Sequence, residues 1–324
     1  MRVVIVGAGV MGSMHGRALR ARRDVDVVQV IDPDVERAKV LADLMGARPS
    51  SSIDDLDEAD GVIVASSTGA HHAVVSALLA RPNPPALLVE KPLAGSVAQA
   101  EELVALARGH EHRVLVGHVE RFNPAVRELL SWRDAAPVHV EMRRVGPGSP
   151  RVDVDVVRDL MIHDLDILIQ LLGREFVRVA AVLQGETPRG ADLAAVVLQS
   201  TQGVTAMVTA SRVAQLKERT VTLTCEGVQV VADLVRQQVT IHRTLHQEFS
   251  DEGGARYRQS GVVEIPYLAH GEPLQLEHQN FVDVMLGAAL PEVSVRDAAA
   301  GLELCERVLA AGRWSGSPRS DPVG

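Results

Sequence analysis

The 324 residues predict an α/β fold in two parts: a parallel sheet with helices on both faces, then a half whose sheet is mostly antiparallel. Three observations carry this. Five short apolar runs, at 2–6, 25–31, 61–65, 86–89 and 113–117, alternate with helical patterns at 10–21, 34–45, 70–80 and 96–108. After about residue 123 the texture changes, and strand patterns follow one another through short turns. The glycine-rich turn that ends the first run is of the type that holds a dinucleotide. The expected division is 1–120 for the first domain, 121–314 for the second, and 315–324, rich in Ser, Pro and Gly, as a disordered tail.

The first run breaks into Gly7-Ala8-Gly9-Val10-Met11-Gly12 and a helix, and Asp32 ends the second run, twenty residues past Gly12. Gly7 makes the tight turn, Gly9 lets backbone approach a pyrophosphate, and Gly12 lets the helix pack close to the strand. The helix N-terminus offers free N–H groups to an anion. Asp32 can accept from adenosine ribose hydroxyls and would repel a 2′-phosphate, which favours NAD over NADP. Three agreeing contexts outweigh the alternative of an ordinary glycine turn.

In a parallel sheet ligands bind beyond the C-terminal ends of the strands, so the later turns matter. Ser66-Ser67-Thr68-Gly69-Ala70-His71 follows the third run and should pass close to the cofactor, although His71 reads equally as an ordinary first-turn helix residue. Glu90-Lys91-Pro92 follows the fourth, where a lysine can reach both the nicotinamide ribose and a substrate hydroxyl; the competing reading is a solvated lysine. Gly117-His118-Val119-Glu120-Arg121-Phe122-Asn123-Pro124 follows the fifth. There Arg121 could pair with an anionic substrate group, Phe122 could pack near the nicotinamide, and Asn123 could touch substrate or merely cap the helix at 124–132.

A strand at 137–145 and a Gly/Pro loop at 146–150 lead to a strong helix at 154–172 that carries Asp159, His163 and Asp166. Residues four apart share a helical face, so Asp159 is expected beside His163, raising its basicity and orienting it as a general base. Solvated helix charges and a metal site are the rival readings. Strands follow at 176–184, 191–199, 204–211, 219–223, 227–232 and 236–242, then helices at 273–287 and 295–311. Arg121, Arg143, Arg144 and Arg151 are candidates to grip a phosphate; Arg143 and Arg144, adjacent on a strand, point to opposite faces.

Composition excludes other classes. At a net charge of -9 with no basic run, nucleic acid is not an expected partner. Residues 61–80 lack charge, yet Ser66, Ser67, Thr68, Gly69, His71 and His72 interrupt them, so no membrane span is expected. Two distant cysteines, Cys225 and Cys305, and no leader before the strand at Val3 fit a reducing cytoplasm. His110-Glu111-His112 lies at the opposite edge from the cofactor turns, and no metal is expected there or elsewhere.

Together the glycine turn, Thr68 and His71, Glu90-Lys91-Pro92-Leu93, Asp159-x-x-x-His163-x-x-Asp166 and Glu277-His278-Gln279-Asn280-Phe281 resemble the Gfo/Idh/MocA family of oxidoreductases over nearly the whole chain. The resemblance implies a Rossmann domain, then an α/β domain with a large open sheet that builds dimers or tetramers, and NAD(P)-linked chemistry on sugar or cyclitol hydroxyls. It assigns Lys91 to polarising the substrate hydroxyl, His163 to acid/base work and Asp159 to its support. Cofactor contacts are expected from Gly7, Gly9, Val10, Met11, Gly12, Asp32, Ser66, Thr68, His71, Glu90 and Lys91. Substrate contacts are expected from Lys91, Arg121, Phe122, Asn123, Asp159 and His163. One departure stands out: Ser66-Ser67-Thr68 replaces the family's frequent Thr-Pro-x, which loosens that turn. The segments 117–124 and 159–164 look like the branch that oxidises C3 of UDP-N-acetylglucosamine. The expected function is therefore NAD-dependent oxidation of a nucleotide sugar or sugar phosphate. The alternatives are a free-sugar or cyclitol dehydrogenase, and a non-catalytic NAD-binding regulator, which would not need Lys91, Asp159 and His163.

Overall fold

A computed structural model describes residues 1–148, 154–185, 190–251 and 254–312, with backbone alone for 245–251 and 254–259. The tail at 315–324 and Arg151 lie outside the described residues.

The first sheet is built from β1 (Arg2–Val6), β2 (Asp26–Ile31), β3 (Arg48–Ser50), β4 (Gly61–Val64), β5 (Ala86–Glu90) and β6 (Val114–Gly117). Its order is β3-β2-β1-β4-β5-β6 and every pairing is parallel. Helices α1 (Val10–Leu19), α2 (Val35–Met45), α3 (Thr68–Leu79) and α4 (Val97–Leu106) connect the strands. Val3, Val4 and Ile5 of β1 and Val62, Ile63 and Val64 of β4 are fully buried, as strands covered on both faces must be. β3, a three-residue edge strand, Arg48-Pro49-Ser50, is not among the five expected strands, because no apolar run marks it.

The second half begins with α5 (Pro124–Leu130) and β7 (His139–Pro147), so residues 146 and 147, expected in a loop, extend the strand. A π-helical turn, Val157–Met161, opens α6 (Ile162–Leu172). The expected single helix at 154–172 is thus interrupted where Asp159 sits, and π turns often mark functional sites. Strands β8 (Phe176–Gln184), β9 (Leu193–Ser200), β10 (Thr205–Ser211), β11 (Val213–Cys225), β12 (Val228–Asp233), β13 (Gln238–Asp251) and β14 (Gly254–Glu264) complete an eight-stranded sheet with β7. Its order is β14-β13-β12-β11-β7-β10-β9-β8, antiparallel except for the parallel β7·β10 pair. One face packs on α5 and α6 through Val140, Met142, Val221, Leu223, Leu165 and Leu168.

Helices α7 (Pro273–Met285) and α8 (Val295–Ala311) close the chain. α7 returns to the first sheet, where Phe281 and Val284 join its core. α8 spans both cores: Ala298 and Leu302 belong to the first, Leu304, Cys305 and Val308 to the second.

Two glycines make the first turn possible. Gly7 sits at φ +102, which L side chains rarely adopt, and a Cβ on Gly12 would overlap the Gly7 carbonyl. Gly12→Ala is expected to cost about 1–3 kcal/mol of stability by overpacking. It should also weaken NAD binding at least tenfold, because the turn must open to admit the methyl group. Thermal melts with and without NAD check this; an unchanged NAD-induced rise in Tm would contradict it.

Candidate active site

A crevice of about 570 Å³ opens at the C-terminal edge of the first sheet. One end is the glycine turn. Gly9 caps α1 without a side-chain bond, the first helical turn carries no acid, and a Cβ at Gly9 would meet only open space. The first N–H groups of α1 therefore face the crevice with no protein acceptor among the described residues, the feature a pyrophosphate requires. Gly7, Gly9, Val10 and Met11 line the crevice, whereas Gly12 lies beneath it as packing. Asp32 is on the wall, its carboxylate fixed by the N–H groups of Ala8 (2.7 Å) and Asp34 (2.9 Å). The residues present fit a dinucleotide.

Ser66, Thr68 and His71 line the next stretch. His71 is almost fully buried, with Nδ1 facing the Pro92 carbonyl at 2.9 Å and Nε2 facing the Ser66 carbonyl at 3.1 Å. Burial pushes its pKa down, and the neutral ring, with a single N–H, donates to only one of these two carbonyls.

Glu90 also lines the crevice, yet its carboxylate turns inward. Oε1 accepts from His15 Nε2 at 2.8 Å, and Oε2 accepts from the Lys91 N–H at 3.2 Å. Behind His15, His278 Nε2 stands 2.8 Å from His15 Nδ1. Burial drives the His278 pKa well below 6.5, so His278 is neutral and can donate to His15, which donates in turn to Glu90. Glu277 is fully buried beside them, and neither of its carboxylate oxygens has a partner among the described residues. Burial and the Glu90 charge push its pKa well up, which favours the neutral acid. The sequence reading missed His15 and gave Glu277 and His278 no role; their only signal was polarity on helix faces that otherwise read as core.

Lys91 crosses to the second half. Its Nζ donates to the Asp159 carbonyl at 2.7 Å and lies 3.4 Å from Asp159 Oδ1. A lysine ammonium has three donors, and this leaves one for a ligand. His163, the second residue of α6, is half-buried and, contrary to expectation, is not among the residues that line the crevice; its Nδ1 has no partner among the described residues, and it makes an edge-on contact to His118, ring centroids 6.2 Å apart. Burial, then the nearby Lys91 and Arg144 charges, drive its pKa well below 6.5, so it is a neutral imidazole able to take a proton.

Several expectations meet a different arrangement. No hydrogen bond joins Asp159 to His163: the π turn closes at i+5 rather than i+4, and the carboxylate faces Lys91 instead. His163 is therefore lowered in pKa, not raised as a carboxylate partner would have it. Arg121, Phe122 and Asn123 do not reach the crevice, because residues 119–122 form a 3-10 turn that folds beneath the sheet edge. Arg121 is consumed by Asp166 in two bonds of 2.5 and 2.9 Å. Phe122 is fully buried under the Arg127 guanidinium. Asn123 caps α5 through Ala125 N–H and donates to the Leu234 carbonyl. Arg144 points inward as one of an adjacent pair should, but binds Asp164 and Glu120; Arg143 points outward to Glu218. The His110–His112 stretch lies in the surface connection before β6.

Burial lowers the pKa of His71, His118, His163 and His278 together. Below pH 6.5 the unfolded chain takes up protons that these rings refuse in the folded state, so stability falls with pH by up to about 1.4 kcal/mol per unit for each. Glu277 opposes this: above pH 4.5 the unfolded chain releases a proton that the folded state retains, and because it acts over the whole window while each ring acts only below pH 6.5, it offsets about two of the four ring contributions. Unfolding in urea is expected to show a net loss of up to about 2–3 kcal/mol between pH 7.5 and 5.5. A flat profile would contradict the burial of these rings as neutral groups.

Comparison with known proteins agrees with the fold. Residues 1–118 match a profile described as an oxidoreductase family with an NAD-binding Rossmann fold, and residues 136–231 match the GFO/IDH/MocA C-terminal domain. UDP-N-acetylglucosamine 3-dehydrogenase of Acidithiobacillus ferrooxidans is 34% identical over 215 residues, 66% of this chain and 67% of the relative. The solved structure of that enzyme superposes with a TM-score of 0.82 and 28% identity, covering 96% of this chain and 97% of that one. Inositol 2-dehydrogenase of Acidothermus cellulolyticus is 32% identical over 194 residues, 56% of each chain.

Proposed function

This chain belongs to the Gfo/Idh/MocA family of NAD-binding oxidoreductases, and from that premise we propose that it oxidises a secondary hydroxyl of a nucleotide-linked sugar, at C3, to the ketone. The observation that carries the reading is Lys91 of the crevice rim held on Asp159, and it is supported by a neutral imidazole on the following helix, His163, whose proton affinity the Lys91 charge lowers after burial. Lys91 donates its free N–H to the substrate oxygen. His163 takes the hydroxyl proton, directly or through Lys91. NAD, when bound along the glycine turn, accepts the hydride from the same carbon. Asp159 stops the ammonium from wandering, so the hydroxyl meets a placed donor rather than a mobile one. The preference for a nucleotide sugar over a sugar phosphate rests on the Acidithiobacillus relative; a cyclitol is the second reading, favoured by the inositol dehydrogenase at 32%.

Initial rates of NADH formation with UDP-N-acetylglucosamine, glucose 6-phosphate and myo-inositol separate these. Turnover of the nucleotide sugar is expected to dominate in kcat/KM. Turnover of myo-inositol alone would contradict the proposal.

A homodimer or homotetramer formed through the second sheet is part of the same reading. Val182, Val197 and Met207 are exposed on the face away from α5 and α6, a contiguous apolar area that a monomer would leave wet. Light scattering is expected to give a dimer or tetramer and Val197→Asp a smaller species; a wild-type monomer at micromolar concentration would refute it.

A further inference from the structure

Every arginine that the sequence offered for gripping an anion, and that the structure describes, is already spent: Arg121 on Asp166, Arg144 on Asp164 and Glu120, Arg143 on Glu218 at the outer face. Arg158, on the crevice wall, is taken by Asp155 and Glu306. Arg219 differs. It lies on β11 directly opposite Arg144 of β7, on the inner face that Val221 and Leu223 continue as core. Its guanidinium makes one hydrogen bond, Nη1 to Glu120 Oε1 at 2.7 Å, onto an oxygen that Arg144 Nη1 already occupies at the same distance. Among the described residues its remaining N–H groups have no protein acceptor, and one third of the side chain is open to solvent.

The position also bears on the reaction. Arg219 connects through Glu120 and Arg144 to Asp164, the residue that follows His163, and its charge, like those of Lys91 and Arg144, acts on the His163 ring. Burial and the Arg144 charge pull the Arg219 pKa below its ordinary value, against the opposing pull of Glu120 and Asp164. The one carboxylate oxygen it touches is shared with Arg144, which leaves the rest of the fork for an incoming anion. A planar guanidinium with free donors suits two phosphate oxygens better than a lone hydroxyl.

We propose that Arg219 is a specificity-determining residue that binds a phosphate group carried by the substrate, placing it on the inner sheet face while the reacting hydroxyl lies between Lys91 and His163. This rests on the sugar-oxidation reading above and narrows it to phosphate-bearing sugars. Uncharged cyclitols would leave Arg219 without its anion.

The test compares wild type, Arg219→Gln and Arg219→Lys. Two readouts are needed: KM and kcat with UDP-N-acetylglucosamine, glucose 6-phosphate and myo-inositol, and calorimetric binding of UDP to the NAD-loaded protein. Arg219→Gln is expected to raise KM for the phosphate-bearing substrate and to weaken UDP about 10- to 100-fold, the worth of a charge-assisted hydrogen bond. The change in kcat should be at least tenfold smaller than the change in KM, and Arg219→Lys should recover part of the affinity. Melting of each NAD-loaded variant within a few degrees of wild type shows that the fold is kept. If Arg219→Gln alters neither KM nor UDP affinity while wild type oxidises the nucleotide sugar, the role of Arg219 is wrong and the sugar reading stands. If wild type instead oxidises glucose 6-phosphate in an Arg219-dependent way, Arg219 stands and the nucleotide is wrong. If wild type binds no phosphate compound and oxidises only myo-inositol, both fail. Equal loss of kcat with all substrates in both variants would assign Arg219 to the scaffold and overturn the proposal.

Discussion

Lys91→Ala is expected to lower kcat by about 10²- to 10⁴-fold, the range by which a placed proton-transfer group accelerates a reaction. The reason is local. The ammonium is anchored on the backbone and side chain of Asp159, so it arrives in the crevice already aimed and with one donor to spare. Alanine removes that donor and leaves Asp159 facing an empty position. The glycine turn and Asp32 lie at the other end of the crevice and are untouched, so NAD affinity should change by less than tenfold. Fluorescence titration with NADH alongside steady-state rates separates the two effects. Parallel loss of binding and turnover would make Lys91 a cofactor clamp and not a participant in the chemistry.

His163→Ala is expected to cost about 10²-fold or more in kcat/KM, and its pH profile is the sharper signature. Burial and neighbouring cations lower the pKa of this imidazole well below 6.5. In the proposed mechanism the neutral form is the base, so oxidation is expected to fail only when pH falls through that lowered value. Wild type should hold its kcat/KM from pH 7.5 down past 6.5 before the acid limb begins, measured over a range in which the protein is still folded. The limb should be absent in His163→Ala. An acid limb above pH 7, or one that survives the substitution, would move the base elsewhere.

Much of this was legible in the chain because the signals were local. β1, β4 and β5 are short apolar runs each ended by a polar turn, and their edges placed Gly7, Ser66 and Lys91 on one rim. What stayed hidden depended on distance or on a few dihedral angles. His15 and His278 touch across 263 positions, and no periodicity links them. The backbones of β13 and β14 pair over a stretch of sequence rich in Gln, His, Arg and Glu, where polar residues interrupt the apolar alternation that marks strands, so the expected strand ends at 242 and none is expected at 254–264. Asp159 and His163 had the spacing of a helical pair, but a π turn sends the carboxylate to Lys91. Residues 121–123 read as crevice residues because they follow a parallel strand; one 3-10 turn puts them under it, where Asp166 neutralises Arg121. Arg219 was passed over because nothing in a polar strand distinguishes an arginine whose donors are spent from one whose donors are free.

The most direct test is isotopic. UDP-N-acetylglucosamine carrying deuterium at C3 is incubated with NAD and the protein, and the reduced cofactor is weighed by mass spectrometry. One deuteron delivered to the nicotinamide, together with a 3-keto sugar product, is the predicted result. Turnover that yields unlabelled NADH, or no reduction of NAD at all by this sugar, would contradict the assignment of Lys91 and His163 to its C3 hydroxyl.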